Sequence, residues 1–108
     1  MATLKKTTSF GEYLRSLREE AELTLKVVAT QIEIDISLLA KIERNERQPT
    51  KQLIKSIASY FDVNEKELQN VFLSDQIAHK IMNEDADLSV LKVAEEKVKY
   101  LKTVHNEK

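Results

Sequence analysis

The chain has 108 residues, enough for one hydrophobic core and marginal for two. It is 32% charged with a net charge near −1, and it holds one Gly, one Pro and no Cys. That composition excludes a disulfide framework, a thiolate metal site and a glycine-rich phosphate loop. The overall charge argues against broad polyanion affinity, so any cationic face must come from arrangement. Residues 1–60 carry ten Lys/Arg against eight Asp/Glu, and residues 61–108 carry seven against ten. The start, MATLKKTTSF, lacks the apolar run of a signal peptide, and no segment is apolar enough to span a bilayer. No membrane association is expected, and the cytoplasm is the expected location.

In chain order, residues 1–8 read as an N-terminal arm. Ser9 and Glu12 have the spacing of a capping box, and Phe10, Leu14 and Leu17 follow at helical intervals. Thr24 and Asp35 are competent N-caps for two short helices. The first would bury Val28, Ala29 and Ile32, the second Leu39 and Ile42, with Ile34 as an apolar plug in the turn. A fourth helix starts at Thr50, just after Pro49, buries Leu53, Ile54, Ile57 and Ala58, and ends near Tyr60-Phe61. Asn64 and Glu67 resemble a further capping box, opening a helix that carries Leu68, Phe72, Ile77 and Ile81. A polar break at residues 83–87 precedes a last helix over about 88–101. The expected fold is therefore all-α, a five-helix head with an additional C-terminal helix. The head spans residues 9–68 and the helical tail residues 69–108.

Residues 24–50 have the layout of a helix-turn-helix, whose second helix turns its exposed face to a major groove. The plain alternative is three packed amphipathic helices with no nucleic-acid partner. Three stretches decide how the layout is read: FGEYLRSLREE, LKVVATQIEIDISLLAKIERNERQPT and LIKSIASYFDVNEKEL. They resemble the Cro/repressor-type, or XRE, helix-turn-helix family from about Phe10 to Leu68. The most specific match is Lys41-Ile42-Glu43-Arg44-Asn45-Glu46-Arg47-Gln48-Pro49-Thr50, which is similar to the family's R-I-E-R-G-x-R-x-P-S.

The resemblance implies roles by position. Arg18 and Glu43 match a structural ion pair tying the first helix to the third. Ile36, Ser37 and Lys41 fall where the family reads base edges, and Ala40 lies on the same side and allows close approach. Serine and lysine can hydrogen-bond a base edge, whereas isoleucine offers only apolar contact such as a thymine methyl. Lys26, Arg44, Asn45, Arg47, Gln48 and Lys51 flank that helix as candidate phosphate contacts. Lys26 and Lys51 read equally well as solvated surface residues, and Ile36 as a core or dimer-facing one. The chain departs from the family at Leu25, where glutamine is common, and at Glu22, Glu33 and Asn45, where glycines are common.

In the tail, Phe72, Ile77 and Ile81 form one apolar stripe and Leu91, Val98 and Leu101 another, and these are the expected dimerisation residues; the plain alternative is that the two helices pack on each other or on the head. No catalytic residues, cofactor or metal are expected, because His79 and His105 are the only histidines and neither has zinc-ligand spacing. The resemblance implies a sequence-specific regulator of transcription that binds an inverted repeat in double-stranded DNA as a homodimer. It is similar in size to phage repressors and restriction–modification controllers. The alternative is an antitoxin-type interaction protein that binds a protein partner and its own operator.

Overall fold

The computed structural model describes residues 8–106; the expected N-terminal arm thus lies almost wholly outside the described residues. Six helices follow one another: α1 (Phe10–Glu20), α2 (Leu25–Gln31), α3 (Ile36–Glu43), α4 (Lys51–Phe61), α5 (Glu65–Asn83) and α6 (Ser89–Asn106). Among the described residues there is no strand. The last helix runs five residues past its expected end at residue 101. No helix among the described residues is long and apolar enough to cross a membrane.

Local chemistry sets the helix starts. The Ser9 Oγ accepts from the Glu12 amide at 3.2 Å while Glu12 Oε1 accepts from the Ser9 amide at 3.1 Å, a complete capping box. Thr24, Thr50 and Asn64 each accept from the amide three residues on, at 3.1, 3.0 and 2.9 Å. Asp35 has the extended N-cap backbone but makes no side-chain cap bond.

Helices α1 to α5 all stop in one way. A residue with φ between 51° and 61° follows each: Glu22, Glu33, Asn45, Asp62 and Asp85. The next amide reaches back five residues, as from Leu23 to the Arg18 carbonyl, Ile34 to Ala29, and Glu46 to Lys41. This is the paired-bond terminus usually built on glycine. The three positions where the family's glycines are absent are thus left-handed here too, at about 1–2 kcal/mol for each of Glu22 and Glu33 and less for Asn45, since asparagine tolerates this conformation. The residue after the left-handed one is apolar at four of the five ends (Leu23, Ile34, Val63 and Ala86); after α3 it is Glu46.

The core of the first compact unit is assembled from α1 to α5. Phe10, Leu14, Val28, Leu39, Ile42, Ile54, Ile57 and Leu68 are all 2% exposed or less. Ile34, Leu25 and Leu38 pack against this cluster while partly exposed. The unit runs through Asp75, beyond residue 68, because Val71 is buried in the same core and Phe72 packs on it. Phe72, read above as a dimerisation residue, stands edge-on to Phe10 with ring centroids 5.8 Å apart, so its ring completes the head.

The second unit comprises residues 76–108. It holds the last turns of α5, the break and α6. No described side chain of α6 is buried, and Ile77, Val90, Leu91, Val98 and Leu101 are each at least 42% exposed. Ile81 is half-buried.

Candidate nucleic-acid interface

Helix α3 is one-sided. Leu39, Ile42 and the Glu43 side chain are buried, and Leu38 packs at the core margin. On the opposite face, Ile36, Ser37, Ala40 and Lys41 share a stripe, being spaced i, i+1, i+4 and i+5. Ile36, Ser37 and Lys41 are exposed, and Ala40 is half-buried. An isoleucine 49% exposed at the start of a helix, beside a hydroxyl and an ammonium, gives this face apolar and hydrogen-bonding reach together.

Three attachments to α1 hold α3 in place. The Arg18 guanidinium grips Glu43 through two bonds, Nε to Oε2 at 2.7 Å and Nη2 to Oε1 at 2.9 Å, and Nη1 donates to the Leu23 carbonyl at 3.0 Å. Both side chains are largely buried, 13% and 5% exposed, and the fork geometry fixes angle as well as distance. Donating to the Glu43 carboxylate holds the guanidinium pKa above its ordinary value, against the opposing effect of burial.

Second, the backbone of α1 touches the end of α3 at Gly11. A Cβ there would lie 2.5 Å from the Glu43 carbonyl oxygen and 2.6 Å from that of Ile42. Third, Asn45 clips the two helices together. Its Oδ1 accepts from the Gly11 amide at 3.1 Å and its Nδ2 donates to Ser9 Oγ at 3.0 Å. Asp75 finishes the same helix start by accepting from the Phe10 amide at 2.7 Å. The amides of Ser9 through Glu12 are thus all satisfied by side chains, two of them from distant parts of the chain.

The candidate phosphate contacts divide accordingly. Lys26 on α2, Lys51 at the first turn of α4, and Arg47 and Gln48 in the loop between α3 and α4 are exposed. Asn45 is exposed, and its amide braces α1 through Oδ1 and one of the two Nδ2 hydrogens. Arg44 is held by Glu46, Nε to Oε2 at 2.7 Å and Nη2 to Oε1 at 3.3 Å. The pairing raises the pKa of Arg44 and lowers that of Glu46. Leu25, at the position where the family often has glutamine, packs against the core. Gly11, Asp75 and Glu46 were not among the candidate residues. Only Gly11 left a trace in sequence, as a lone glycine inside a helical pattern.

A family model described as a helix-turn-helix domain matches residues 9–71, more than half of the chain. The chain belongs to the helix-turn-helix family, in its XRE type. It is 33% identical over 79 residues to the HTH-type transcriptional regulator DdrOP3 of Deinococcus deserti; the aligned region covers 71% of this chain and 61% of that relative, so less than two thirds of the relative's length is matched. Among solved structures, this helix-turn-helix chain is similar to the restriction-modification controller protein C.AhdI from Aeromonas hydrophila. The two are 30% identical with a TM-score of 0.52, over 55% of this chain and 89% of the controller. It also shares its fold with a chain of the SinR protein/SinI protein complex, at 19% identity and a TM-score of 0.51, over 87% of this chain and 98% of that one.

Among the described residues, no group of three His, Asp or Glu side chains is disposed to hold a metal ion.

Proposed function

We propose that the protein is a cytoplasmic, sequence-specific DNA-binding regulator of transcription that recognises an inverted repeat as a homodimer. The observation that carries this reading is the one-sided α3: its inner face is buried and triply anchored to α1, and its outer face presents Ile36, Ser37, Ala40 and Lys41. Ser37 and Lys41 would address base edges by hydrogen bonding, Ile36 a thymine methyl, and Ala40 would let the helix come close. Lys26, Arg47, Gln48 and Lys51 would set the register on phosphates. One such helix makes few base contacts, so paired half-sites read by two copies are the efficient solution. The apolar stripes of the tail, Ile77, Ile81, Leu91, Val98 and Leu101, supply surface for the second copy.

Selection from random duplex DNA, followed by salt titration of the enriched sequence, tests the reading. Enrichment of an inverted repeat bound with a steep salt dependence is expected. A folded, helical protein that enriches no sequence would sink it.

The tail also favours a second reading, an antitoxin-type interaction protein. Ile77, Ile81, Val90, Leu91 and Ala94 line an apolar groove of about 620 Å³ within residues 76–108, which an amphipathic helix of another protein could enter. A monomeric chain that forms a stoichiometric complex with the product of an adjacent gene would favour this reading over the homodimer.

A further inference from the structure

Glu46 stands out at the end of α3. At the four comparable helix ends the residue after the left-handed position is apolar, as is usual where it packs back on its own helix. Here it is a carboxylate, 54% exposed, and its side chain takes no part in the helix stop; only its amide does, donating to the Lys41 carbonyl at 2.8 Å. The carboxylate instead occupies the Nε and Nη2 edge of Arg44, the planar fork an arginine would offer to a phosphate. It also lies within electrostatic reach of Lys41, on the outward stripe of the same helix.

We propose that Glu46 is an intramolecular stand-in for DNA phosphate, holding Arg44 back from indiscriminate backbone contact and so sharpening the protein's preference for its operator. The inference rests on the DNA-binding reading above. To grip a phosphate through its fork, Arg44 must first release a carboxylate of matching geometry, so it gains only the difference between two similar ion pairs. The freed carboxylate then stands near the DNA backbone, where like charges repel. On random DNA, where no phosphate is held in register with the fork, the exchange yields less than an unpaired arginine would gain. On the operator, base contacts along α3 fix the register that sets a phosphate in the plane of the fork, so the penalty falls mainly on wrong sequences.

The test compares the wild type with Glu46→Gln, which keeps the amide and the side-chain shape and removes the charge. Binding to a random-sequence duplex and to the selected operator is measured across a salt series, with helicity checked in parallel. Glu46→Gln should bind the random duplex roughly 3–10-fold more tightly, with a log–log salt slope steeper by about one, as for one added phosphate contact. Its operator-to-random ratio should fall. The double variant Arg44→Gln/Glu46→Gln should return the slope to that of the wild type. If the wild type binds its operator and Glu46→Gln behaves identically or binds random DNA more weakly, the role of Glu46 is overturned while DNA binding stands. If neither protein binds any duplex at low salt, both readings fall together.

Discussion

In the head, residues 8–75, eight large side chains are almost wholly buried, and a buried Arg–Glu pair and side-chain caps answer the polar groups around them. In the tail, residues 76–108, apolar side chains recur as regularly along the helix, yet none of those described in α6 is buried. The two regions differ little in apolar content and greatly in where it is placed. The lesson is that helical periodicity reports an amphipathic face, but not whether the partner of that face lies in the same chain. A head with its own core should unfold as a unit whose stability is independent of concentration. A tail with exposed leucines and valines has a physical reason to associate.

The comparison can be broken most forcefully from the head. Glu43→Gln or Arg18→Met leaves its partner buried without a counter-charge, which should cost about 3–5 kcal/mol in denaturant unfolding. A loss under 1 kcal/mol would mean that water reaches the pair freely. From the tail, Leu101→Lys should weaken self-association by about 1.5–3 kcal/mol for each leucine no longer buried, read by sedimentation equilibrium. Unfolding of the head should be unchanged; a matching drop in head stability would erase the contrast. Gly11→Ala should destabilise by roughly 1–3 kcal/mol despite alanine's higher helix propensity, because the added methyl meets the last carbonyls of α3.

Two glycine substitutions at left-handed positions should have opposite signs. Asn45→Gly relieves the backbone but removes two hydrogen bonds to α1, a net loss of about 1 kcal/mol. Glu33→Gly has no comparable bonds to lose and should be neutral to about 1 kcal/mol stabilising, as read by thermal melting. The smallest effect concerns pH. Bonding to the Ser9 amide, then to its hydroxyl, holds the Glu12 carboxyl below its ordinary pKa. Its contribution is therefore complete above the unfolded-state pKa and is lost as pH falls through the lower folded value. Glu12→Ala should flatten that acid-side slope in stability measured between pH 5 and 2.

What the sequence made legible was local. The caps at Ser9, Thr24, Thr50 and Asn64 depend on residues three apart, and the buried positions of α2, α3 and α4 follow helical spacing. The Arg18 and Glu43 pairing, 25 residues apart, was visible only through a family pattern. The bracing of α1 was not legible at all, since Asn45 reaches Ser9 across 36 residues and Asp75 reaches Phe10 across 65. No local pattern marks a side chain whose partner is a backbone amide elsewhere. The contact of Phe72 with Phe10 was likewise not legible, because its spacing joins it to Ile77 and Ile81 while Phe10 lies 62 residues earlier in the chain.

The start of α1 also has a consequence in time. Two of its amides are answered by Asn45 and Asp75, so in a chain still emerging from the ribosome the set of side-chain acceptors is incomplete until residue 75 is clear. At cellular elongation rates, the 65-residue interval between Phe10 and Asp75 lasts roughly 3–13 s. During that wait water answers those two amides, and the Phe10 ring lacks the edge-on partner that Phe72 provides in the folded head.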